Sequence, residues 1–136
     1  LLVAKKGYVF ENRSGIILQR RPGADFFPAV REVSVIKHIV MWKLKDEAEG
    51  RDRKGNAAKM KHALEALKGS VPGILELEVG TQFEPNEAAH DVVLYSIFKD
   101  KAGLETYMKH PEHLKVVEFV RKVVSDRKVV DYEAQE

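Results

Sequence analysis

A phenol and two imidazoles, Tyr107, His110 and His113, crowd around Pro111 at the entrance to an apolar helix. A third imidazole, His38, interrupts a strand-like apolar run that includes Val35, Ile36, Ile39, Val40 and Trp42. Burying such polar rings without partners costs roughly 1–3 kcal/mol each. They must therefore satisfy one another structurally or face a pocket. In a pocket they would supply a defined chemistry. A buried imidazole loses basicity and stays neutral near pH 7, ready to accept a proton. A phenol beside it can donate to a developing enolate oxygen. A neutral base, an oxygen donor and dry walls are what proton abstraction next to a carbonyl requires.

Helical spacing places His113 in line with Val117, Val120 and Val124, so its ring points toward the core face. Tyr107 lies across the helix break, positioned to hydrogen-bond His113 or to serve a substrate oxygen. His38 shares one strand face with Ile36, Val40, Trp42 and Leu44. His38, Tyr107 and His113 are thus the candidate catalytic residues. His110 and His113 are three apart, but no third ligand stands near them in sequence, and His110 before Pro111 reads as a helix N-cap; no metal site and no cofactor are expected. His90 reads as a rim residue and His62 as solvent-facing. The chain has no Cys, which removes disulfides and a cysteine nucleophile. It also shows neither a phosphate-cradling glycine loop nor a nucleophile elbow.

The elements that must hold these groups are legible in the hydropathy pattern. Residues 35–44 form an unbroken β-branched and aromatic run, the signature of a central strand. Charged residues 46–56, with Gly50 and Gly55, read as a loop. Ala57, Met60, Leu64, Leu67 and Val71 then recur at helical spacing until Pro72 and Gly73 stop them. Residues 74–83 alternate, with Leu75, Leu77 and Val79 on one face and Glu76 and Glu78 on the other. A turn over 84–89 leads to a strand over 90–99, a short helix over 101–109, a helix restarted by Pro111 and a last strand over 126–132. Strand, helix, strand, strand, helix pair, strand is the ferredoxin-like order: an α+β domain whose four-stranded antiparallel sheet carries helices on one face. The strands are apolar on both sides, so the second sheet face needs a cover, and face-to-face pairing of two copies supplies one.

The 136 residues suffice for one domain with a real core, here 35–136, preceded by an extension over 1–34. The extension holds apolar runs at 8–10 and 16–18 around Gly15, a hairpin pattern, followed by a linker at 21–28. It carries six basic against three acidic residues, leaving 17 basic and 18 acidic in the remainder. The net charge of +2 thus belongs to the extension, and so thin a basic stripe does not suggest a nucleic-acid partner. No run approaches the ~20 apolar residues of a membrane span, so no membrane partner is expected. The first residues lack the apolar core of a secretory signal, and a cytoplasmic location is expected. The chain begins at Leu1 and not at Met, which points to a processed, truncated or incompletely observed start.

Several segments together resemble the stress-responsive dimeric α/β-barrel (Dabb) family. They are the run around His38, the turn from Val71 to Ile74, the strand opening at His90 and Asp91, the corner from Tyr107 to His113, and the closing Val129, Val130, Asp131 and Tyr132. The resemblance runs from about 35 to 133. It implies two ferredoxin-like sheets closing into a dimeric barrel, with little implied about chemistry. Among plant members the sequence is distantly similar to the olivetolic acid cyclase type, which closes a linear polyketide thioester without a cofactor. That likeness implies functional roles for His38 and Tyr107, and the role of base for His113. Where that type carries pocket aromatics on the first helix, Ala57, Met60 and Ala63 stand here. The resulting expectation is a homodimeric Dabb protein of unassigned activity, with a pocket for a small apolar ligand around His38, Tyr107 and His113. The alternative is a cofactor-independent cyclase-like or proton-abstracting enzyme.

Overall fold

The computed structural model describes residues 34–135 and, nearer the start, the backbone of three short strands. It divides into two compact units, residues 1–34 with 135–136 and residues 35–134. In the first, β1 (Leu2–Ala4), β2 (Gly7–Glu11) and β3 (Ile17–Gln19) form an antiparallel meander, with Phe10 opposite Leu18. The segment expected to be a linker and the loop around Gly15 lie outside the described residues.

β4 (Ser34–Leu44) leads into the second unit, and its alternation buries Ile36, His38, Val40, Trp42 and Leu44 on one face. The loop expected over 46–56 is more ordered than its charge suggests. β5 (Glu47–Ala48) and β6 (Arg51–Asp52) form a minimal hairpin, and its turn residues Glu49 and Gly50 both have positive φ, 52° and 74°. That pair of left-handed residues matches the right-handed twist of the flanking strands. Helix α1 (Arg53–Ser70) therefore starts earlier than its apolar stripe, capped by the Asp52 carboxylate, which accepts from the Gly55 N–H at 2.7 Å. Met60, Leu64 and Leu67 form its buried face. Gly73, with φ of 89°, then turns the chain into β7 (Ile74–Thr81).

Alternation in β7 departs from expectation at one residue. A register shift between Ile74 and Glu76 turns Leu75 outward, while Leu77 and Val79 stay buried. β8 (Val92–Phe98) pairs with both β7 and β4. Helix α2 (Lys101–Lys109), capped by Asp100, ends at His110. Helix α3 (Pro111–Val123) begins there, with Pro111 at its first position, where a missing N–H is harmless. His110 serves both ends: its N–H donates to the Tyr107 carbonyl, and its Nδ1 accepts from the Glu112 N–H at 3.1 Å. The last strand, β9 (Val124–Gln135), is longer than expected and follows α3 without a loop.

The sheet order is β7-β8-β4-β9, a ferredoxin-like fold with a four-stranded antiparallel sheet. The core lies between the sheet and the helices, around Val40, Met60, Leu94, Phe98, Tyr107 and Val123. Among the described residues no helix is long and apolar enough to cross a membrane.

Candidate functional site

The helix break at His110 fixes the site. Tyr107 on the last turn of α2 and His113 on the first turn of α3 meet with ring centroids 4.3 Å apart. Tyr107 is 0% exposed and its hydroxyl has no hydrogen-bond partner among the described residues. The two rings pack at a tilt of 45° without the hydrogen bond that spacing alone allowed, so the hydroxyl stays uncommitted. Burial pushes the Tyr107 phenol well above the usual phenol range and keeps it a donor.

His113 is 7% exposed. Its Nδ1 lies 3.2 Å from the Met108 carbonyl, one of the acceptors left over at the end of α2. A carbonyl only accepts, so Nδ1 carries the proton and Nε2 presents its lone pair. Burial lowers the basicity of His113, opposed by the bond to Met108 and reinforced by nearby positive charge, including Arg127. The ring is thus held as a neutral imidazole in one tautomer.

His38, 2% exposed, lies on the helix-facing side of β4 and meets Tyr107 and Phe98 edge-on, at 6.2 and 6.3 Å. Its Nδ1 is bound to the Asp131 carboxylate on the neighbouring β9. Sequence reasoning missed Asp131. The partners stand 93 residues apart, and only the pairing of the first and last strands of the sheet brings them together. The carboxylate holds the imidazole in one orientation, the familiar task of such a partner. Ser96 on β8 donates to the His38 carbonyl at 2.8 Å and steadies the backbone there.

His38, Tyr107 and His113 border a cavity of about 350 Å³. Its sheet wall is His38, Val40, Trp42 and Leu94. The helix wall is Leu64, Tyr107 and Met108 with His113, Val116, Val117 and Val120. Arg121 and Arg127 complete the lining. The volume suits a small organic molecule. Besides the Tyr107 hydroxyl, the buried Trp42 Nε1 is without a partner among the described residues, so two donors stand uncommitted on its walls. Tyr107→Phe removes one of them, so the variant should gain about 1 kcal/mol of stability. Thermal denaturation would show this as a rise of roughly 4–8 °C; a fall would mean that the hydroxyl has a structural partner.

The remaining histidines stand apart from this site. His90 Nε2 pairs with Asp126 at 2.9 Å, and His62 is exposed on α1. Among the described residues no group of three or more His, Cys, Asp or Glu side chains is placed to hold a metal ion.

With fold and cavity in view, the chain belongs to the stress responsive A/B barrel domain (Dabb) family, whose model matches residues 36–134. A curated relative, a stress-response A/B barrel domain-containing protein of Arabidopsis thaliana, is 29% identical over 118 residues, 85% of this chain. The chain spans 43% of that protein's length. A solved dimeric protein of unknown function and ferredoxin-like fold from Bacteroides fragilis is 32% identical, with a TM-score of 0.66 over 74% of this chain and 96% of its own. The hydroxynitrile lyase of Passiflora edulis is 19% identical, with a TM-score of 0.62 over 75% of this chain and 94% of its own, a likeness of fold alone. No specific activity comes to the chain from these relatives.

Proposed function

We propose that this Dabb domain binds a small carbonyl compound with an apolar body and abstracts a proton from the carbon beside the carbonyl. The observation that carries the reading is the pairing of an open His113 Nε2 with an uncommitted Tyr107 hydroxyl on the walls of one apolar cavity. His113 takes the proton, and the electron pair moves into the carbonyl as an enolate. The Tyr107 hydroxyl donates to the enolate oxygen, and no cofactor enters the step. His38, oriented by Asp131, borders the same space and positions the carbonyl end. The likeness to the olivetolic acid cyclase type belongs to this proposal, supported by the three shared residue types at His38, Tyr107 and His113.

The working unit in this proposal is a homodimer joined through the outer sheet face. Support comes from paired apolar rows on that face: Met41 opposite Val93, 42% and 36% exposed, and Ile39 opposite Tyr95. The Bacteroides fragilis relative is itself described as dimeric. A cytoplasmic location fits a chain without cysteine. Titration of labelled protein with 2-indanone, a compact enolisable ketone, tests the pocket. Magnetic resonance signals of Tyr107 and His113 should shift saturably, and unmoved signals up to the solubility limit would end the proposal.

A further inference from the structure

The cavity is mostly apolar, but two exposed arginines, Arg121 and Arg127, belong to its lining. Arg121 stands in one helical row with His113 and Val117, at steps of four along α3. Arg127 lies on the same face of β9 as Asp131, four residues away, because strand side chains alternate. Among the described residues neither arginine forms an ion pair, whereas Arg53, Lys61, Lys109, Lys115 and Lys128 all do. The carboxylate on the same strand face, Asp131, is held by His38 and lies ~13 Å along the strand from Arg127.

We infer that the ligand is a small organic acid whose carboxylate is gripped by Arg121 and Arg127, while its apolar body fills the cavity toward His113 and Tyr107. Arginine suits this task because its planar fork matches a carboxylate with two parallel hydrogen bonds. The two rows also fix where the charge must sit on the molecule. Arg121 is two helical turns from His113, ~12 Å along the axis. The carboxylate and the reacting carbonyl therefore stand at opposite ends of the ligand, as in a medium-length oxo acid. The positive charge of Arg127 is also among the influences that hold down the basicity of His113. An anionic head group at Arg127 cancels that influence, so ligand binding itself strengthens the base.

This inference deepens the proposed function and rests on its cavity, so the experiment separates the two. Calorimetric titrations would compare 7-oxooctanoate, the matching amide 7-oxooctanamide, and 2-indanone. The acid should bind roughly tenfold tighter than the amide, and added salt should erode that advantage alone. Arg121→Gln and Arg127→Gln, both at exposed side chains, should each bring the acid down toward the amide and leave amide and 2-indanone unchanged. Equal binding of acid and amide, with 2-indanone still bound, overturns the carboxylate grip and spares the cavity. Failure of all three probes to bind overturns both.

Discussion

His113→Asn should reduce hydrogen–deuterium exchange at the α-carbons of 2-indanone by about 10²–10⁴-fold, the usual contribution of a positioned general base. Asparagine is the informative replacement. Its amide N–H occupies the place of Nδ1 and can keep the bond to the Met108 carbonyl, while nothing replaces Nε2. The melting temperature at pH 8 should therefore change little. The pH profile of stability should change in a defined direction. His113 has a folded-state pKa held below its unfolded value, so the unfolded chain binds the proton more readily. Its contribution is fully present above the ordinary imidazole range near 6.5. It is lost as pH falls below that range. The asparagine variant should lack this part of the acid destabilisation. An unchanged exchange rate in the variant, together with an unchanged acid limb, would assign the ring a purely structural part.

The second large effect concerns Phe98. Its side chain is fully buried at the end of β8, 5.1 Å from the Tyr107 ring and 6.3 Å from that of His38. It packs against both rings, which also meet each other edge-on. Phe98→Ala should cost about 3–5 kcal/mol, because the lost burial is compounded by a cavity that rigid neighbouring strands cannot close. For a domain of this size the melting temperature falls by well over ~10 °C. Phe98→Leu restores most of the volume and should recover much of the loss. A small loss in the alanine variant would mean that helices α2 and α3 can settle onto the sheet, and the cavity would then be a soft feature of the fold.

The contrast between these two residues explains why the site was partly legible in the sequence. Periodicity exposes single elements well. The apolar run of β4 set His38 on one face with Ile36, Val40, Trp42 and Leu44, though a run apolar on both sides does not say which face the helices cover, and the proline-marked break placed Tyr107 and His113 across one corner. The His110 cap followed from local chemistry alone. Contacts between distant elements carry no such signal. Asp131 sits in a strand whose residues are mostly exposed, and nothing local marks it as the partner of His38. The sheet order does: once the last strand is set beside the first, a carboxylate near the level of His38 becomes an obvious thing to look for. The ring contact of Tyr107 with His113, in place of a hydrogen bond, depends on the angle between two helices, which spacing does not fix. The β5–β6 hairpin escaped because strands of two residues have no period; its only sign was a glycine at the turn, Gly50. Leu75 escaped because a register shift reverses an alternation that otherwise reads cleanly.

The distribution of burial follows the same logic as the chemistry. On the inner face the sheet and helices bury a continuous core, and between β4 and helices α2 and α3 they leave a cavity. The polar groups around it differ in how far they are committed. His38 is fixed by a carboxylate and His113 by a backbone carbonyl, while Tyr107 and Trp42 keep unpartnered donors. Each buried donor without a partner costs free energy, so these two are the polar atoms of the lining with the most to gain from a ligand.

Nitrogen-15 magnetic resonance of histidine-labelled protein at pH 7.5 reads directly whether His113 is the neutral base with an open Nε2 that the proposed function requires. The expected result is a neutral ring protonated on Nδ1 alone, with an Nε2 signal that moves when 2-indanone is added. A ring protonated on Nε2, or on both nitrogens, would contradict it.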